Sequence, residues 1–242
     1  MITVYNDREA LGHAAAGLFA ETAERAVADH GRCAVLLAGG ETPRRAYELL
    51  AAEPLRDRVP WGNLHIFWGD ERCVPLDDPR SNARMAREAL LDQVPVPDGQ
   101  VHPIPGDRDP GQAADGYEAL LRRFFAGAPP RFDLVLLGLG TDGHTASLFP
   151  GSPVLDERER WTAVTRRADE EIDRITLTVP IINQAGLVAF LVTGDDKAAV
   201  LHEVLEEETD PHRLPARMIR PGHGELRWLM DRPAARLLRR ID

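Results

Sequence analysis

Apolar positions along this chain fall into two patterns. Residues 33–37, 64–68, 132–137 and 187–193 are short, nearly unbroken apolar runs. Runs of that length read as strands covered on both faces, as in a parallel sheet. Residues 174–179 alternate instead, as a half-exposed strand does. Further short strands are expected at 2–5, 161–165 and 225–230, with a possible one near Val101. Helical stretches lie between them. The first runs from about residue 7 to 29, capped by Asn6 or Asp7. The next starts with Thr42 as N-cap and Pro43 at the first helical position, and ends near residue 52. Ser81 caps a helix to about residue 91. Others are expected at 111–126, from 196 to about 206, and from Arg232 onward. Strands alternating with helices predict an α/β fold with an open, mostly parallel sheet and helices on both faces. Repeats and long flexible linkers are absent, so residues 1–242 read as a single domain.

Composition narrows the function. The chain has 242 residues, is 43% apolar, and carries a net charge of −10. That charge argues against a nucleic-acid partner and repels anionic substrates at long range. A phosphate site must therefore be built locally, from cations and backbone N–H groups. No apolar run approaches a membrane span and the N-terminus lacks signal-peptide character, so a cytoplasmic location is expected. Cys33 and Cys73 read as thiols in a reducing compartment. The eight histidines show no metal-ligand spacing. Basic residues are almost all arginine, and Lys197 is the only lysine.

The run at 132–137 leads into Gly138, Gly140 and Gly143, with Asp142 and His144 in the same turn. A histidine at the end of a buried strand is a candidate general base, since imidazole titrates near neutrality. The three glycines formally match the dinucleotide fingerprint. Pro150, however, leaves room for only about two turns of helix, too short for that motif. The following strand also lacks the acidic residue that would hold a ribose. Three other turns end strands in the same way: 38–43, 69–72 and 194–197. In a parallel sheet all four would meet on one edge, where ligands bind. Gly39 and Gly40, with Thr42 beside them, offer free N–H groups at a helix start, which suits a phosphate. Lys197 sits at a helix start too, where the dipole disfavours a cation by about 0.3–1 kcal/mol unless an anion is bound. Asp70 and Arg72 could orient a catalytic group and pair with substrate.

The motifs AGGETP, WGDERCVP with PRSNARMAREALL, GLGTDGHTASLFPGSP, RITLTVP and VTGDDKAAVL together resemble the family of 6-phosphogluconolactonases and glucosamine-6-phosphate deaminases. The resemblance covers almost the whole chain. It implies a Rossmann-like sheet, no metal or organic cofactor, and hydrolysis of 6-phospho-D-glucono-1,5-lactone in the pentose phosphate pathway. It makes His144 the base that activates water, with Asp142 and Asp70 orienting His144 or sugar hydroxyls. Gly39, Gly40, Thr42, Arg72 and Lys197 would hold the phosphate. Backbone N–H groups of the 138–143 turn, Gly140 and Gly143 included, would face the reacting carbonyl. Glu41, set beside the phosphate turn, is expected to point away. The expected partner is a small sugar phosphate lactone, without nucleic acid or membrane, and the chain is expected to be a monomer or weak homo-oligomer. Two alternatives stand beside this. One is a glucosamine-6-phosphate deaminase-like enzyme, whose motif carries a glutamate five residues after the histidine, where this chain has Phe149. The other is a non-catalytic sugar-phosphate-binding module, although His144 stands in its full context. A redox enzyme using the glycine-rich turn is more distant.

Overall fold

A computed structural model describes residues 1–126 and 128–239. Gly127 and the last three residues of the expected 1–242 unit lie outside the described residues. The chain begins with strand β1 (Ile2–Tyr5) and helix α1 (Arg8–His30). The Asp7 carboxylate caps α1 by accepting from the Ala10 N–H at 2.8 Å, and Gly31 closes it in the left-handed conformation. Strand β2 (Cys33–Leu37) and helix α2 (Glu41–Leu50) follow, then a short helix α3 (Leu55–Arg58) and strand β3 (Leu64–Trp68). Next come β4 (Asp70–Arg72), α4 (Asn82–Ala86), β5 (Val101–His102) and α5 (Pro110–Phe124). The second half contains β6 (Leu134–Leu137), β7 (Thr162–Arg166), β8 (Asp173–Leu177) and α6 (Val179–Ile182). It ends with β9 (Leu187–Val192), α7 (Ala198–Glu206), β10 (Glu225–Asp231) and α8 (Arg232–Ala235). No helix among the described residues is long and apolar enough to cross a membrane.

Seven strands form one sheet in the order β1-β10-β9-β6-β2-β3-β5, with every pair parallel. Every residue of β2, β6 and β9 is buried, as central strands covered on both faces require. From β2 the chain builds outward through β3 to β5, then returns to β6 on the other side of β2. The loops after β2 and β6 therefore diverge, and a crevice opens between them at this switch in strand order.

Three expectations are corrected here. The 69–72 stretch is not simply a turn: Asp70–Arg72 is strand β4, which pairs antiparallel with β8, and β8 with β7. These three form a separate small sheet. β7 has the mixed burial of a strand with one wetter face, but Arg174 to Leu177 of β8 are all buried, so the alternation at 174–179 does not mark the half-exposed strand expected from it. Thr42 is also not the N-cap of α2. The helix starts at Glu41 with Gly40 as cap at φ 100°, and this frees the Thr42 hydroxyl for the Thr193 hydroxyl, 2.7 Å away.

Parallel strands that splay apart leave backbone groups unpaired at their ends, and buried groups of that kind need partners. Side chains supply them here. The Tyr47 hydroxyl donates to the Ala38 carbonyl at 2.9 Å and accepts from the Ala38 N–H at 3.0 Å. Tyr117 bonds Trp68 in the same double way, at 3.0 and 3.3 Å. The Thr145 hydroxyl donates to the Gly138 carbonyl at 2.8 Å, and the Asp231 carboxylate accepts from the Gly194 N–H at 3.1 and 3.2 Å. The ends of four strands are thus fixed where the turns begin.

Candidate active site

The four strand-end turns converge on one cleft of about 470 Å³. Its walls include residues 38–43 after β2, Asp70 and Arg72 of β4, residues 138–140 and 144–146 after β6, and Thr193, Asp196 and Lys197 after β9. Arg8, Asn82 and Arg174 complete it.

His144 and Asp142 form a pair within the β6 turn. Nδ1 of His144 lies 2.5 Å from Oδ1 of Asp142, which also accepts the His144 backbone N–H at 3.1 Å. Burial works against ionisation of Asp142, but the hydrogen bonds and charge of His144 outweigh it and bring the carboxyl down to about 2. An ionised carboxylate only accepts, so in the neutral ring Nδ1 carries the proton and Nε2 keeps the lone pair. The ring rests near Phe149, with centroids 5.0 Å apart. Glycine at 140 is required by this pair. A Cβ there would lie 2.1 Å from Nδ1 of His144 and 2.6 Å from Oδ1 of Asp142.

Two of the turn's N–H groups are committed internally. Gly140 donates to the His144 carbonyl at 2.8 Å and Gly143 to the Gly140 carbonyl at 3.0 Å. They are not free to meet a substrate oxygen, which corrects the sequence expectation for both glycines. Gly143 lies behind the cleft wall, in the left-handed region at φ 83° and against Leu214. Ala146 also adopts a left-handed φ, 48°, a strained state for a residue with a Cβ.

Asp70 does not bond His144. Its Oδ2 accepts from the fully buried Ser147 hydroxyl at 2.5 Å, and its Oδ1 from the Asn82 amide at 3.3 Å. Between Asp70 and Asp142, it is Asp142 that supports the imidazole. Arg72 donates through Nη1 to the Arg80 carbonyl at 2.9 Å and to Oδ1 of Asn82 at 2.7 Å.

Lys197 ends a single 3-10 turn at residues 195–197 and precedes α7, rather than lying inside a longer helix. Its Nζ is 3.2 Å from the exposed Asp196 carboxylate. Such a pair contributes little and leaves the cation facing the cleft. The Glu41 side chain is mostly exposed, reaching toward Arg44 at 4.0 Å.

Sequence reasoning missed Arg8, Asn82 and Arg174. Arg174 is nearly buried in β8, bonds Glu170 and lies over the Phe149 ring at 5.6 Å. Its Nε is buried without a hydrogen-bond partner among the described residues. Only its place in RITLTVP could have pointed to it. Arg8 looks like an ordinary first-turn residue, and Asn82 is overshadowed by the capping role of Ser81. Among the described residues no group of three or more metal-ligating side chains occurs.

Comparison with known proteins agrees with this geometry. The profile of the glucosamine-6-phosphate isomerases/6-phosphogluconolactonase family matches residues 6–228. The chain is 48% identical over 219 residues to a 6-phosphogluconolactonase from Synechocystis, covering 89% of this chain and 88% of that protein. The structure of 6-phosphogluconolactonase from Trypanosoma brucei superposes with a TM-score of 0.87 at 32% identity, covering 98% of both chains. A monomeric glucosamine-6-phosphate deaminase shares the fold, with a TM-score of 0.84 at 21% identity and coverage of 98% and 99%. The chain belongs to the glucosamine-6-phosphate isomerase/6-phosphogluconolactonase family.

Proposed function

We propose that this chain is a 6-phosphogluconolactonase, hydrolysing 6-phospho-D-glucono-1,5-lactone to 6-phospho-D-gluconate in the oxidative pentose phosphate pathway. One observation carries the choice within the family. The His144–Asp142 pair leaves Nε2 for the cleft, and the residue five positions on is the buried Phe149, not a carboxylate. A base is present, and the acidic group expected for opening an amino-sugar ring is replaced by a side chain that moves no proton.

His144 Nε2 takes a proton from water as the water oxygen attacks the lactone carbonyl. The imidazolium, steadied by Asp142, then gives that proton to the ring oxygen as the C–O bond breaks. Lactone plus water yields the hydroxy acid, which ionises in solution. The phosphate is held at the other end of the cleft by Arg72, Arg174, Arg8 and Lys197. The Gly39 and Gly40 amides and the paired Thr42 and Thr193 hydroxyls at the start of α2 complete that end. Asp70 accepts sugar hydroxyls. The partner is a small sugar phosphate lactone, and the chain acts in the cytoplasm as one unit, a monomer or weak homo-oligomer.

The test is parallel measurement of lactone hydrolysis, after subtracting spontaneous opening, and of ammonia release from glucosamine 6-phosphate. Hydrolysis well above background with no ammonia is expected. Ammonia at a comparable rate overturns the lactonase reading.

A further inference from the structure

Strand β4 carries two opposite charges on one face. Asp70 and Arg72 are two residues apart, so their side chains leave the strand on the same side, and both reach the cleft. An acid and an arginine so placed would be expected to pair, yet Arg72 has no ion pair among the described residues. Asn82 stands between them. Its Nδ2 donates to the Asp70 carbonyl at 2.9 Å and to the Asp70 carboxylate at 3.3 Å, while its Oδ1 accepts from Arg72 at 2.7 Å. The reversed amide would set oxygen against two acceptors, so the orientation is fixed by its partners.

Asn82 is itself held rigidly. It is 2% exposed and opens α4, whose first N–H groups would be orphans in a buried setting. The buried Glu71 carboxylate accepts from the Asn82 and Ala83 N–H groups, each at 2.8 Å, and from the Ser81 hydroxyl at 2.9 Å. On its other side, the Asn82 amide fills the place a Cβ of Gly39 would need, at 2.0 Å from Oδ1. One amide thus touches the carboxylate, the guanidinium and the phosphate turn.

We propose that Asn82 is a positioning residue that keeps Asp70 and Arg72 apart. A neutral side chain that donates to one charge and accepts from the other satisfies both without cancelling either. Asp70 stays available for sugar hydroxyls, and Arg72 keeps its remaining N–H groups for the phosphate. This inference rests on the proposed lactonase reading and its placement of the phosphate at Arg72.

The decisive variant is Asn82→Asp, nearly the same size but with a charge of its own. Its carboxylate should capture Arg72, lowering kcat/KM for the phosphorylated lactone at least about tenfold more than for unphosphorylated gluconolactone, mainly through KM. Protonating the new carboxyl makes it a neutral stand-in for the amide. The ratio of variant to wild-type KM should therefore fall as pH is lowered, which a packing defect would not reproduce. Equal losses on both lactones, or a KM ratio indifferent to pH, overturns the proposal. Asn82→Ser, too short to bridge the two charges, serves if the aspartate variant does not fold. The same selective loss is expected of it, and equal losses overturn the proposal there as well. Arg72→Ala distinguishes this failure from that of the underlying reading. If Arg72→Ala shows the selective loss and Asn82→Asp does not, only the role of Asn82 falls. If Arg72→Ala loses equally on both substrates, the phosphate assignment falls with it.

Discussion

Two histidine–aspartate pairs lie at opposite edges of the central sheet, and only one of them is built to do chemistry. His144 and Asp142 sit beyond the C-terminal end of β6. His30 and Asp133 sit beside the N-terminal ends of β2 and β6, 3.0 Å apart. Both are an imidazole ring beside a carboxylate, so the pair alone is not the signal. The differences are in what surrounds it. His144 is 21% exposed in its side chain against 48% for His30, so it works in a partly dehydrated cleft. His144 bonds through Nδ1 and offers Nε2 to the cleft, whereas His30 bonds through Nε2. Asp133 spends its second oxygen on the Ala34 N–H at 2.8 Å, which makes it a strand-end anchor. Each ring borders a cleft of about 470 Å³, so access does not separate the pairs; the nitrogen left free and the strand-end bond of Asp133 do.

The largest expected effect breaks one pair and spares the other. His144→Ala should lower kcat by roughly 10²–10⁴-fold, the usual contribution of a positioned acid–base group. His30→Ala should leave kcat within about twofold, as expected of a surface change away from the reacting atoms. With unphosphorylated gluconolactone, activity should rise with pH through a single apparent ionisation. Asp142, brought down to about 2, is already charged there and is neutralised only in strong acid, where its support of His144 is lost. A second ionisation on the acidic limb before strong acid is reached would contradict that arrangement.

The next effect sharpens why the pair at the C-terminal edge is positioned so closely. Gly140→Ala drives a Cβ into the imidazole and carboxylate, whereas a Cβ at Gly138 meets nothing within 4 Å. Gly140→Ala should therefore lower kcat by about tenfold or more through misplacement of the base, with Gly138→Ala close to wild type. Equal behaviour of the two variants would show that close packing over Gly140 does not matter to catalysis.

Much of this contrast was legible in the sequence, because it lies in local patterns. Unbroken apolar runs followed by glycines marked β2 and β6, and the turn after β6 held both members of its pair. What was not legible depends on register between distant segments. Asp70–Arg72 read as part of a strand-end turn because a three-residue strand gains its identity only from pairing with β8. The resemblance left Asp70 to orient either His144 or sugar hydroxyls; its side-chain partners are Ser147, 77 residues away in the chain, and Asn82. Arg174 enters the cleft only because the small antiparallel sheet folds over it. Thr42 read as a cap because Thr-Pro is a strong local signal, and the Gly40 backbone made that cap unnecessary.

The smallest expected effect concerns binding. Lys197→Arg should weaken the phosphorylated lactone several-fold through KM and Lys197→Ala more, since a guanidinium fork does not replace a point charge at a crowded turn. Unphosphorylated gluconolactone should be processed by both variants about as well as by wild type. Equal proportional losses on both substrates would make Lys197 a structural residue.

The central claim is that Asp142 fixes the tautomer that makes His144 a base toward the cleft. Ring ¹⁵N shifts of the neutral histidines, read above their titration, test it directly, with His30 as an internal contrast. The predicted result is a proton on Nδ1 and a bare Nε2 in His144, and the reverse in His30. A proton on Nε2 of His144 would contradict the account, because no lone pair would then face the water it is said to activate.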